Sequence, residues 1–320
     1  MHKFFIAFYC FLLFTSLSFA QAIDNTASYR NINNNSYARL HYDNDFFSAT
    51  DRYYSQGVNL EIVHPSIQKF PLSKILLHSK NSDVKYGIAM VHDVYTPSSI
   101  RHREIFLNDR PYSANWMLNT FCIALDSLGK SRTTSSFSIG VLGTVAGGAD
   151  MQTSIHRWLD NIEPLGWKHQ IRSDVAINYS MQYERLLVSY KKLVAVSTNV
   201  NARVGTLNDK VGVGLNVLLG YFENPFGRIS GNPDFRFHFY GQSVVSVIGY
   251  DANLQGGMFN RSSPYTISSS QLSRFTLQHN YGVAFQIRRL YMEYSRGLLS
   301  KEFKTGLPHG WGGIKIGCSF

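Results

Sequence analysis

Two stretches in the middle of this chain alternate. Val175, Ile177, Tyr179, Met181 and Tyr183 are apolar, and Ala176, Asn178, Ser180, Gln182 and Glu184 beside them are small or polar. Val194, Val196, Val200, Ala202 and Val204 interleave with Ala195, Ser197, Asn199, Asn201 and Arg203 in the same way. Period two is strand geometry, because successive side chains leave opposite faces. A strand needs ~10 residues to cross a bilayer, whereas strands of soluble proteins average ~5–6. An apolar face beside a polar one, at this length, is the pattern of a strand with lipid outside and a polar lumen inside. A soluble sheet with one wet face also alternates, but its strands are shorter.

The first residues point to export. MHKFFIAFYCFLLFTSLSFA carries one lysine, an apolar run from Phe4 to Leu13 and small residues around Ala20. That is the make-up of a secretory signal peptide spanning residues 1–20. Its removal takes Lys3 from a formal charge of +10, leaving +9. No later apolar run is long enough for a membrane helix. The chain holds 19 Tyr and 22 Phe against 9 Pro, which suits strands. An exported basic chain meets anionic lipid rather than nucleic acid, and no RNA-binding motif appears. Its last stretch, Trp311 to Phe320, alternates and ends on an aromatic, like the assembly signal of outer-membrane barrels.

These features predict an all-β fold: a transmembrane antiparallel β-barrel of about twelve strands over residues 37–320, in the bacterial outer membrane. Residues 21–36 are polar and Asn-rich and read as a short periplasmic leader without order of its own. A monomer is expected. Cys122 and Cys318, the two cysteines after residue 20, make no disulfide framework.

A barrel that starts and ends in the periplasm has its first, third and fifth loops outside. Three polar-aromatic patches then fall at one rim. The first is Tyr42-Asp43-Asn44-Asp45-Phe46-Phe47. The second is Arg110-Pro111-Tyr112. The third holds Gln152 and His156, four apart on a helix expected within 151–162, with Trp167 following. Histidine titrates near neutrality and can take a proton from water. Asp45 offers hard oxygen of the kind calcium takes. Arg110 could hold a phosphate or pair with Asp109 or Asp51. No Gly-x-Ser-x-Gly elbow is present.

These residues resemble those of the lipid A 3′-O-deacylases of the LpxR type. The matching pieces are Asn44-Asp45-Phe46-Phe47 with Asp51-Arg52-Tyr53-Tyr54 and Gly57, Arg110-Pro111-Tyr112 with Trp116, and Gln152 with His156, leading to Gly166-Trp167 and Gln170. Asp43, Ser55-Gln56 and Ser113-Ala114-Asn115 depart from the family pattern. The resemblance implies a twelve-stranded barrel and calcium-dependent removal of the 3′-acyloxyacyl chain from lipid A in lipopolysaccharide. It implies His156, Asn44 and Asp45 as catalytic residues, Asp45 at the metal, and Arg110, Tyr112, Gln152 and Trp167 as substrate contacts. A pore, an adhesin or a phospholipase on a similar barrel are the competing expectations.

Overall fold

The computed structural model describes residues 25–48, 52–229 and 231–320. The expected signal peptide lies outside them. Twelve strands form one closed antiparallel barrel: β1 (Tyr37–Asn44), β2 (Tyr53–Val63), β3 (Asp83–Thr96), β4 (Ser113–Asp126), β5 (Ser131–Leu142), β6 (Asp174–Tyr190), β7 (Val194–Gly205), β8 (Asn208–Tyr221), β9 (Phe235–Asp251), β10 (Phe275–Ile287), β11 (Leu290–Leu299) and β12 (His309–Ser319). Closure comes from β1 on β12, with Tyr37 opposite Ser319 and Asn44 opposite Gly312. Closure removes every free edge, which a strand in lipid requires.

The alternation resolves as expected. Ile177, Met181 and Tyr183 stay exposed on the outer face, while Asn178 and Glu184 are buried toward the lumen. Leu40, Leu60, Val200, Val213, Val245 and Ile314 extend the apolar outer band around the barrel. β1 ends at Asn44, where Asp45–Ser48 turns away as a 3₁₀ turn. β5 starts at Ser131 and stops before the special backbone of Gly143.

The connections at the end carrying Tyr37 and Ser319 span 64–82, 127–130, 191–193, 222–234 and 288–289. Those at the other end include 97–112, 143–173 and 252–274. Longer loops mark the extracellular side of such barrels, so the first end faces the periplasm.

The polar leader is ordered where it is described. Residues 25–36 fold into the periplasmic half of the lumen. Ser28 donates from N and Oγ to Glu184 at 2.9 and 3.1 Å. Tyr29 donates to Gln242 at 3.0 Å and stacks on Tyr240. Arg30 pairs with Glu293 at 2.9 Å, and Lys315 meets the same carboxylate at 3.0 Å. Arg39 and Arg132 donate to the carbonyls of Asn25 and Thr26. A segment too polar to form a core of its own thus finds partners in the lumen.

At the outer mouth, α1 (Gly148–Trp158) and α2 (Ala252–Gln255) come from the long loops. Asn253 of α2 accepts from Ser113 at 2.8 Å, and Ala252 N donates to Leu207 at 2.8 Å. Leu254 packs with Tyr53, Ile248 and Phe303. These partners stand around the rim, so α2 lies across the mouth. Between α2 and the N-terminal segment is a polar cavity of about 190 Å³, lined by residues such as Asn119, Asn178, Gln182, Asn199 and Asn201.

Candidate active site on the outer wall

Register assembles the site. Asn44 pairs with Gln56, Gln56 with Val94, and Val94 with Ala114. Gly143 N then donates to Ala114 O at 2.8 Å. Five positions distant in sequence therefore form one lateral row. Its side chains share the face of Leu40 and Met90, which are exposed on the outer wall. Yet Gln56, Val94 and Ala114 are buried, at 2%, 0% and 0% exposure. Burial on the lipid side means that loops cover the wall here.

The cover is α1 and its neighbours. Val94, Ile100, Tyr112, Ala114, Ala146 and Trp167 form one cluster, with Val141 and Ala149 against it. Gly148 seats directly on the Ala114 methyl, where a side chain would collide. His92, also on the outer face, meets the carbonyl of Ala146 at 2.8 Å and fixes the approach to α1. The helix was expected over 151–162; it starts three residues earlier and ends four earlier, the tail being drawn back by Asn161 N to His156 O at 2.8 Å.

Gly143 is the hinge of this loop. Its φ of 85° lies in the left-handed region, and an added Cβ would stand 2.6 Å from the backbone of Ile171 and Arg172. Strain of ~1–3 kcal/mol is expected for Gly143→Ala. Tryptic cleavage within 143–173 should rise by about tenfold or more, because proteolysis follows the open population. An unchanged cleavage rate would contradict this.

Gln152 and Trp167 meet as a pair. Trp167 Nε1 can only donate, and it does so to Gln152 Oε1 at 2.8 Å. That fixes the amide orientation and leaves Gln152 Nε2, a buried donor, with no hydrogen-bond partner among the described residues. Tyr112 packs against Trp167 with ring centroids 4.8 Å apart and the planes tilted by 51°. One turn further along α1, His156 Nδ1 lies 2.6 Å from the carbonyl of Ile162. A carbonyl only accepts, so Nδ1 carries the proton and Nε2 keeps its lone pair. The adjoining loops are tied by Lys168, whose hydrogen bond to Glu104 at 2.9 Å holds that exposed carboxyl below its usual range.

The other expected residues are placed differently. Asn44 donates to Tyr42 OH at 3.1 Å and accepts from Phe46 N at 2.8 Å. It stands two strand steps from Val94, roughly 10 Å at ~4.8 Å per step. Asp45 is buried and accepts from Arg52 N at 2.7 Å. No group of three His, Cys, Asp or Glu side chains that could hold a metal occurs among the described residues. Among the described side chains Asp45 is thus in a group of fewer than three such ligands, short of the roughly six to eight oxygens calcium takes. Asp51 lies outside the described residues.

Arg110 is fully buried. It pairs with Glu302 from the loop 300–308 and lies 4.3 Å over the ring of Tyr95, a lumen-side residue. The sequence offered Asp109 or Asp51 as its partner; Asp109 does accept, from the Arg110 backbone N–H at 2.8 Å. A phosphate would have to displace Glu302 to meet this guanidinium. Gln56 was missed as a site residue. It is buried in the row between Asn44 and Val94, with Nε2 unpartnered among the described residues. A register shift falls beside it, between Tyr54 and Gln56.

A family model described as Outer membrane protein LpxR matches residues 6–320. Among solved structures, LpxR from Salmonella typhimurium superposes with a TM-score of 0.73 at 18% identity, over 89% of this chain and 100% of that one. The β domain of the Bordetella autotransporter BrkA gives a TM-score of 0.48 at 8% identity, over 89% of this chain and 99% of that one. No curated protein sequence matches.

Proposed function

The chain belongs to the LpxR family of outer membrane proteins, and on that premise we propose that it is a lipid A deacylase that hydrolyses the ester-linked 3′-acyloxyacyl chain. The observation that carries this reading is the position of α1 on the outer wall at the extracellular rim. A lipid standing in the outer leaflet reaches that face without entering the lumen. A pore reading has less support, because Tyr29, Arg30 and Ala252–Leu254 occupy the lumen at its two ends.

His156 is the base. Ile162 O holds the proton on Nδ1, so Nε2 takes one from water as the water oxygen attacks the ester carbonyl. Negative charge grows on the carbonyl oxygen, and Gln152 Nε2 is the donor offered to it. As the tetrahedral species collapses, the C–O bond to the sugar breaks. His156 returns its proton to the leaving alkoxide. Tyr112 and Trp167 wall the site, and Asn44 forms its far edge along the row. Calcium dependence is proposed with Asp45 as the anionic ligand.

Gln152→Glu separates donor from scaffold. It keeps the acceptor for Trp167 but replaces the N–H donor with an oxygen. A fall of ~10²–10³ in kcat is expected if the donor acts on the oxyanion; an unchanged kcat would remove that role.

The reading is tested by mass spectrometry of lipid A from cells making the protein. Loss of one acyloxyacyl unit is expected, with phospholipid in the same cells unchanged. Intact lipid A alongside a folded barrel would overturn it, and cleaved phospholipid would point to the phospholipase alternative. Chelation should abolish the activity and added calcium restore it. Activity that survives chelation would refute the calcium part alone.

A further inference from the structure

The connection from β2 to β3 does not hang free at the periplasmic end. Residues 64–82 form two 3₁₀ turns, Pro65–Lys69 and Pro71–Ile75. Proline at the start of each turn keeps the two from joining into one helix. The segment runs along the outer wall. Ile67 and Leu76 pack on Val84 and Tyr86 of β3, Cys122 of β4 and Phe137 of β5. It reaches as far as β6, where Tyr179 OH donates to Ile75 O at 3.0 Å and accepts from Leu77 N at 3.1 Å.

The wall beneath is polar for a lipid-facing surface. Thr120, Cys122 and Ser135 point outward and are buried, and Cys122 and Ser135 meet at 3.3 Å. Such groups are costly against hydrocarbon, so the strap is built to stay in place. Its outer side is distinctive as well. Phe70, Ile75 and Leu77 are 39%, 45% and 55% exposed. Lys69, Lys74 and Lys80 are exposed beside them, and no Asp or Glu occurs between His64 and Ser82.

We propose that this strap is a docking surface for the anionic phospholipid headgroups of the inner leaflet. Apolar side chains with interleaved lysines, free of acidic residues, match an interface of acyl chains below phosphates. His64 stacks on Phe320 where the strap leaves β2, among the aromatics of the periplasmic rim. The strap therefore starts at the level where headgroups stand. This inference rests on the barrel's placement in the membrane and not on the deacylase reading.

The test is native mass spectrometry of the detergent-extracted full-length barrel with equal phosphatidylglycerol and phosphatidylcholine. Wild type should retain phosphatidylglycerol preferentially. The variant carrying Lys69→Gln, Lys74→Gln and Lys80→Gln should lose affinity for it on the order of a hundredfold. Heat-modifiable migration on gels, unchanged in the variant, confirms that the barrel is folded. Equal retention of both lipids by wild type, as a strap that docks a periplasmic protein would give, overturns the proposal. So does a folded variant that keeps its phosphatidylglycerol. Lys191→Gln with Lys192→Gln, on the β6–β7 turn, serves as the off-strap control and should leave retention unchanged; a loss equal to that of the strap variant would also overturn it.

Discussion

Replacing His156 with alanine is expected to lower kcat for lipid A deacylation by ~10²–10⁴, the usual contribution of a positioned general base. KM should change little. A base acts on the water in the transition state and not on bound substrate, so both kcat and kcat/KM fall together. The geometry makes this a sharp expectation. Ile162 O fixes the tautomer at 2.6 Å, so the basic nitrogen is defined before substrate arrives. Surface positions tolerate alanine within about 0.5 kcal/mol of stability, and His156 on α1 is only partly buried. The variant should therefore fold and insert as wild type does. Kinetics on purified lipid A, with heat-modifiability as the folding control, checks both statements. A folded His156→Ala barrel with wild-type kcat would remove His156 from the mechanism.

The largest expected effect on stability is at Glu293. Its carboxylate takes Arg30 at 2.9 Å, Lys315 at 3.0 Å and Tyr240 OH at 2.5 Å, and Tyr291 also donates to it. All five groups are buried. Glu293→Ala leaves two buried cations with no carboxylate at that point. Breaking a buried ion pair from one side costs ~3–5 kcal/mol. The urea midpoint should fall by about 1 M or more, for a slope of ~1–3 kcal/mol per molar. The N-terminal segment is held by the same network, so proteolysis within 25–36 should rise in parallel. Glu293→Gln keeps an acceptor and the volume, and should lose less. A midpoint within error of wild type for Glu293→Ala would show that the lumen solvates both cations.

The residues expected to contact substrate divide accordingly. Gln152 and Trp167 lie in one loop, so the sequence already put them near each other; the hydrogen bond that joins them is a finding of the structure. Tyr112 joins them through the neighbouring loop. Arg110 was legible as a rim cation but not as a buried one, since Glu302 lies 192 positions away. Asn44 and Asp45 are neighbours, and strand alternation sends neighbours to opposite faces. The structure separates them as the strand ends, Asn44 beside Tyr42 on the outer side and Asp45 turned into its own loop.

Sequence by itself determined the barrel. Alternation depends on the pleat and on a solvent that differs across the wall, and both act residue by residue. The rim location of the three patches followed from strand parity alone. Only the tertiary structure decided where the leader goes, which wall α1 covers and what Arg110 pairs with. Each depends on partners brought together by closure and register: Ser28 with Glu184, Arg30 with Glu293, Gly143 with Ala114. A polar segment such as 25–36 reads as disordered because it buries no apolar face of its own. It is ordered here because a closed lumen lined with charges supplies, at long sequence range, the hydrogen bonds that water would otherwise provide.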